Sequence, residues 1–245
     1  QFVIPDSGIA PGRSYGVSHV WWDMDNDQRP DLYTGNDSHG PDLFYRQDRN
    51  ARFAEIRGSA PCTPWFSRGA VAADFNNDLA IDFLGTSHAP LTQRDRLRYG
   101  EPFPSDILRN LSSGGSIQVH RNVLLANTGT SRFEEIARMA GLADTGAVWA
   151  VKAGDYDCDG RMDLFFATGE AGDWTWVPAD ELNGEALAGK TRWDLLESRP
   201  AMPQRDLVYR NLGDWQFEEV GKAWGLDHEG MSYCVSQGDL DGDGD

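Results

Sequence analysis

Basic residues are scarce in this chain: 22 Lys and Arg stand against 39 Asp and Glu in 245 residues, a formal net charge of −17 at neutral pH. A field of that sign repels DNA, RNA and anionic lipid, which excludes nucleic-acid binding and electrostatic attachment to a membrane surface. Cysteine is scarce too. Cys62, Cys158 and Cys234 lie too far apart for a zinc pattern and close one disulfide at most, so they read as small buried or loop residues. No apolar run approaches the ~18 residues of a membrane-spanning helix. There is no nucleophile elbow, phosphate-binding glycine loop or zinc-hydrolase helix. Gln1-Phe2-Val3-Ile4 shows neither the basic nor the apolar region of a signal peptide, which leaves open whether one was removed. What is present is a globular composition, 40% hydrophobic and 11% aromatic with nine tryptophans, enough to bury a sizeable core.

The acid is concentrated in four similar strings. They are Asp23-Met-Asp25-Asn-Asp27-Gln-Arg29-Pro-Asp31, Asp74-Phe-Asn76-Asn-Asp78-Leu-Ala80-Ile-Asp82, Asp155-Tyr-Asp157-Cys-Asp159-Gly-Arg161-Met-Asp163 and Asp239-Leu-Asp241-Gly-Asp243-Gly-Asp245. Each places Asp or Asn at relative positions 1, 3 and 5, and the first three place Asp at position 9. Their starts are 51, 81 and 84 residues apart, and they hold 15 of the 39 carboxylates. Such regular self-similarity marks a repeat architecture.

Acidic side chains two residues apart repel one another unless a cation sits among them. A tight loop offering oxygens at 1, 3, 5 and 9, with the backbone carbonyl of position 7, suits a hard ion such as calcium. The expected carbonyls are those of Arg29, Ala80 and Arg161. Gly160 and Gly244 occupy position 6, where a sharp turn favours φ > 0; Gln28 and Leu79 stand there in the first two loops and imply strain. Asn76 removes one charge from the second loop. Helical calcium motifs share the opening spacing but need Glu at position 12 and flanking helices. Position 12 is Thr34, Gly85 or Phe166, and the flanks Val17–Trp22 and Asp163–Thr168 read as strands.

The likeness extends downstream. Asp42-Leu-Phe-Tyr-Arg46, Asn122-Val-Leu-Leu-Ala126 and Asp206-Leu-Val-Tyr-Arg-Asn211 read as short strands ending at polar turns. Arg52–Ile56, Arg132–Ile136 and Gln216–Val220 read as a further strand, two of them running on into Ala140-Gly-Leu142 and Trp224-Gly-Leu226. Each unit is thus four antiparallel strands with the acidic loop between the first and second, the plan of a β-propeller blade. The units resemble FG-GAP/VCBS repeats, the calcium-binding blades of integrin α-subunit propellers. Through Tyr209-Arg-Asn-Leu-Gly213 and Phe217-Glu-Glu-Val220 they are similar to cartilage acidic protein and its bacterial relatives. The resemblance implies an all-β propeller of about seven blades, of which three and part of a fourth lie here. Residues 1–15 are expected to be the closing strand of the last blade, 16–60, 61–142 and 143–227 successive blades, and 228–245 the start of the next. On this reading the residues belong to a longer polypeptide.

The acidic loops then lie at one end of the blades, and the long insertions 87–121 and 170–205 at the other. Long loops on a rigid scaffold commonly carry binding. The first insertion has a local charge of +2, with Arg94, Arg96, Arg98, Arg109 and Arg121; the second carries Trp174, Trp176 and Trp193, suited to anchoring a protein partner or stacking on sugar. His39 and His88 follow the second strand of consecutive blades, and with Glu170 they offer the acid and base that an enzyme would need. Asn36-Asp-Ser38 and Asn110-Leu-Ser112 fit a glycan acceptor pattern. Sites of micromolar-to-millimolar affinity fill outside a cell and stay mostly empty in cytosol, so the expectation is an extracellular or periplasmic protein. The leading expectation is a non-catalytic, calcium-stabilised binding module or assembly subunit. The rival is a calcium-dependent propeller enzyme, a lyase or hydrolase acting on polysaccharide.

Overall fold

The computed structural model describes residues 7–9, 15–37, 40–88, 115–129, 132–170 and 201–239, with isolated positions at 189, 191, 194 and 197. Three four-stranded antiparallel sheets follow one another along the chain. The first holds β1 (Gly16–Trp22), β2 (Asp31–Asn36), β3 (Leu43–Gln47) and β4 (Phe53–Glu55) in spatial order. After the short β5 (Cys62–Pro64), the second holds β6 (Ser67–Ala73), β7 (Asp82–Ser87), β9 (Val123–Asn127) and β10 (Phe133–Glu135), with β8 (Ile117–Val119) set apart from it. The third holds β11 (Val148–Gly154), β12 (Asp163–Thr168), β14 (Leu207–Gly213) and β15 (Gln216–Glu219), with β13 (Gln204–Arg205) before β14. A single helical turn, α1 (Gly221–Trp224), and β16 (Glu229–Gly230) follow. None of the described helices is long and apolar enough to cross a membrane.

The second strand of each sheet is buried along its length, and in the second sheet its alternating side chains feed two different cores. Phe83 and Leu125 of the second sheet join Trp22, Met24, Tyr33 and Phe44 of the first, whereas Leu84 and Leu124 join Val148, Val151, Leu164 and Phe166 of the third. Phe83 lies 4.3 Å from the ring of Tyr33 and stacks at 5.4 Å on Trp22. A one-residue slip of β7 would exchange the two cores. At ~3–5 kcal/mol for removing a buried phenylalanine side chain, that register is firmly specified.

The first strands pack side by side, β6 between β1 and β11. Gly69 makes the approach possible: a Cβ there would sit 2.8 Å from the Val151 nitrogen and 2.9 Å from the Ala150 Cα. Gly141 and Gly225, at φ of 73° and 71°, end equivalent turns after the fourth strands, where Leu142 and Leu226 donate back to Ala137 and Gly221. The Ala-Gly-Leu and Trp-Gly-Leu strings are those turns, one of them α1, rather than strand.

Two small pairings fall outside the sequence expectation: β5 with β8, parallel, and β13 with β16, antiparallel. Segments of two or three residues carry no periodic signal. At the N-terminal side, Ser7 accepts a hydrogen bond from Phe53 N at 2.7 Å, as Ser59 accepts from Phe133 N at 3.4 Å. Ser7 therefore meets the outermost strand of the first sheet as the linker into the second sheet meets its own.

Candidate metal centre

The three complete acidic loops have one construction. The carboxylate at position 1 takes the backbone N–H of positions 5 and 6: Asp23 from Asp27 and Gln28 at 2.9 and 2.7 Å, Asp74 from Asp78 and Leu79 at 3.1 and 2.8 Å, Asp155 from Asp159 and Gly160 at 2.9 and 2.8 Å. The carboxylate at position 5 takes the N–H of position 7 at 2.8–3.0 Å in each loop. These bonds coil the chain around its own acids. Positions 4 and 6 both take the left-handed conformation: Asn26, Asn77 and Cys158 at φ of 57–58°, Gln28, Leu79 and Gly160 at 67°, 70° and 85°. In the three complete loops glycine marks only position 6 of the third; the sequence signal for the turn at position 4 is Gly242 of the fourth string, which the sequence reading passed over. Asn bears left-handed backbone at little cost; Gln28 and Leu79 each carry ~1 kcal/mol of strain there.

Position 9 works differently from the rest. Asp31, Asp82 and Asp163 are fully buried. One oxygen of each takes the N–H of position 2 (Met24, Phe75 or Tyr156, at 2.9–3.0 Å) and the other the N–H at the end of the third strand (Gln47, Asn127 or Asn211, at 2.8 Å). Each carboxylate therefore ties loop, second strand and third strand together, leaving only its remaining lone pairs for an ion. Burial pushes Asp82 up to about 7 and raises Asp31 and Asp163. The same third-strand ends reach across sheets. Asn127 Nδ2 donates to Met24 O of the preceding loop and Asn211 Nδ2 to Phe75 O, at 3.0 and 2.8 Å.

Asp23, Asp25 and Asp27 bring one oxygen each within 4.8 Å of one another, and so do Asp155, Asp157 and Asp159. Within these clusters Asp25 Oδ1 and Asp157 Oδ1 are buried and have no hydrogen-bond partner among the described residues. A buried anionic oxygen without a donor costs several kcal/mol unless a cation meets it. An all-oxygen cluster of this kind fits a hard divalent ion. In the second loop Asn76 takes that place; its amide donates to Asp78 Oδ2 at 2.9 Å and its Oδ1 accepts from Asp78 N at 3.2 Å. Among the described residues arginines flank the first and third loops only: Arg29 pairs with Asp27, Arg161 with Asp159, Arg46 lies 3.8 Å from Asp25, and Arg210 lies 2.6 Å from Asp157 and 3.2 Å from Asp159. The sequence reading passed over Arg46 and Arg210; their shared place in the third strand was the available signal. Of the fourth loop, Asp239 is described, while Asp241, Asp243 and Asp245 lie outside the described residues.

At the opposite end, Asp42, Asn122 and Asp206 precede the third strands and bind the start of the following unit. Asp42 accepts from Asn36 N at 2.7 Å, Tyr33 OH at 2.6 Å and Ser67 Oγ at 2.8 Å. Asn122 reaches Thr145 Oγ1, and Asp206 accepts from Ser232 Oγ at 2.8 Å. His88 Nε2 lies 3.7 Å from Glu170 Oε2, both about 3% exposed. Burial, reinforced by Arg68 and His120, drives His88 down to about 3, so it is neutral at pH 7. Arg68 pairs with Asp37 at 3.0 Å and lies 5.0 Å from the Trp149 ring centre. His39, Arg94, Arg96, Arg98, Trp174, Trp176 and Trp193 lie outside the described residues. So does Asn110. The glycan reading of Asn36 is corrected: it is 2% exposed, and its amide donates to Pro41 O at 2.7 Å. The cysteines are free thiols, and only Cys62 is buried, with Cys158 and Cys234 exposed.

Fold and loops together define an all-β repeat protein whose antiparallel sheets carry an acidic loop between their first two strands. Residues 23–85 match the family model of the FG-GAP-like repeat, a stretch running from the first acidic loop through the second loop into β7. No curated protein matches the chain.

Proposed function

We propose that this chain is part of a calcium-stabilised β-propeller of the FG-GAP/VCBS kind, working outside the cytoplasm, extracellular or periplasmic, as a non-catalytic protein-binding or assembly subunit. The observation that carries the calcium reading is a pair of buried oxygens, Asp25 Oδ1 and Asp157 Oδ1, that have no donor among the described residues, each inside a cluster of three aspartates. Asp23, Asp25, Asp27, Asp155, Asp157 and Asp159 would hold the ions, with the second loop contributing Asp74, Asn76 and Asp78. Bound calcium supplies charge neutralisation and coordination, and so stabilises the folded state by mass action. The chain's own part is done by Asp31, Asp82 and Asp163, which fix loop to strand whether or not an ion is present.

The binding role rests on placement. Both insertions leave and re-enter the sheets at the end opposite the acidic loops, between β7 and β9 and between β12 and β14. A partner engaged there leaves the calcium end free. Native mass spectrometry of the protein from its source tests this. A larger assembly that loses its partner on chelation is expected; a chain that flies alone with calcium bound would contradict the subunit reading.

One observation favours the second reading, a calcium-dependent polysaccharide lyase or hydrolase: His88 and Glu170 meet at the insertion end. Their burial, and the neutral state it holds in His88, suit a structural contact better than proton exchange with a substrate. Turnover on a glycan panel that disappears in His88→Ala would establish the enzyme instead.

A further inference from the structure

Loops one and three share a feature that loop two lacks. In each, two arginines converge on the acids from different elements: position 7 of the loop itself, Arg29 or Arg161, and the third strand, Arg46 or Arg210. The equivalent residues of the second unit are Ala80 and Ala126. Both loop arginines are anchored as well, their Nε donating to the third-strand carbonyls of Gln47 at 3.2 Å and Asn211 at 2.8 Å. With four aspartates and two arginines, each of these loops carries a local charge of −2, matching one divalent ion. The second loop has three aspartates and no arginine, so its charge is −3.

The guanidinium contacts select among the carboxylate oxygens. In the third loop Arg210 Nε lies 2.6 Å from Asp157 Oδ2 as an ion pair, Arg210 Nη2 donates to Asp159 Oδ2 at 3.2 Å, and Arg161 also donates to Asp159 Oδ2. Asp157 Oδ1 keeps no donor among the described residues. The first loop repeats the pattern, with Arg29 on Asp27 Oδ2, Arg46 3.8 Å from Asp25 Oδ2, and Asp25 Oδ1 without a donor among the described residues.

Resting on the calcium reading above, we infer that Arg210 and Arg46 are resident counter-cations of the third and first loops. They hold the acids together when no metal is bound, and their positive charge weakens the metal's own binding. Loop two has the neutral Asn76 amide in that role, so its acids are held without an opposing charge. The three loops therefore differ in metal affinity by design of their neighbours, not of their ligands alone. A cation ~6 Å from a divalent ion opposes it by about tenfold in affinity, even at the dielectric of water.

The two effects of an arginine are opposite in sign, and that separates this role from a merely structural one. Calcium titration by calorimetry on the full chain and on Arg210→Ala reads the first; thermal unfolding in chelator reads the second. The expected result is a site on the order of tenfold tighter in Arg210→Ala, together with a lower melting temperature in chelator that saturating calcium restores. Arg210→Lys should keep the wild-type affinity. Arg46→Ala, with a longer contact and a side chain more than half exposed, should tighten the first loop by a few-fold with less risk to folding. Calcium affinity that is unchanged or weaker in both alanine variants would overturn the inference. Wild-type protein that binds no calcium would instead overturn the reading beneath it.

Discussion

Carboxylates are buried at both ends of these sheets, in opposite circumstances. At the insertion end, Asp42 is enclosed by donors, the backbone N–H of Asn36 and the hydroxyls of Tyr33 and Ser67. At the loop end, Asp25 and Asp157 each keep one buried oxygen with no donor among the described residues, inside a cluster of three acids. The residue type is the same, and the count of donors decides the task. A satisfied buried carboxylate is a joint between units; an unsatisfied one in acidic company asks for a cation.

The widest gap between the two ends should open on chelation. At free calcium ~100-fold above its dissociation constant each site adds about 2.7 kcal/mol. Two filled sites in a chain of this size then correspond to a fall of roughly 10–20 °C in melting temperature when calcium is removed. Scanning calorimetry with and without chelator reads it, and an unchanged melt would erase the distinction between the ends.

Next in size is Asp163→Ala. It strips two backbone N–H groups, those of Tyr156 and Asn211, of their acceptor, at a cost of about 2–5 kcal/mol. Urea unfolding should show the loss in saturating calcium too, because the joint is lost along with any ligand. Full rescue by calcium would show that position 9 serves the metal alone.

Asp42→Asn should be mild by comparison. The second unit already has Asn122 at this place, and Asn can both accept from and donate to the groups around Asp42. Expected is a change within about 1 kcal/mol at pH 7, with a distinct pH signature. Burial lifts the Asp42 carboxyl from 3.8 to about 7. The folded state therefore holds a proton that the unfolded chain releases near pH 4. The stability this group contributes is full below about pH 4 and is lost as pH rises towards 7. Denaturant midpoints measured across that window should slope less in Asp42→Asn, and an identical slope would mean Asp42 is ionised throughout. Smallest of all, Leu79→Gly should stabilise the second loop by about 1 kcal/mol: Leu79 is 84% exposed at φ of 70° and so loses strain without losing burial.

The loop end was largely legible in the sequence because its order is local. Asp at 1, 3, 5 and 9 sits within nine residues, and the short runs rich in β-branched and aromatic residues beside it read as strands. What joins the units was not legible. Asn127 reaches Met24 O across 103 residues, and Arg210 meets Asp157 from a strand that follows a long insertion. Neither has a spacing rule. The left-handed turn at position 4 escaped notice because Asn26, Asn77 and Cys158 adopt it without glycine, leaving Gly242 of the fourth string as its one sequence signal. The Asn36 acceptor pattern misled for a related reason: three residues define the pattern, but burial against Pro41 decides its accessibility.

Calcium titration of the purified chain, followed by calorimetry with metal content read after dialysis, tests the central claim most directly. The account predicts at least two bound ions per chain, one lost in Asp25→Ala and another in Asp157→Ala, with the remaining site intact in each variant. A chain that retains no calcium at millimolar free ion, yet melts as a cooperative unit, would contradict it.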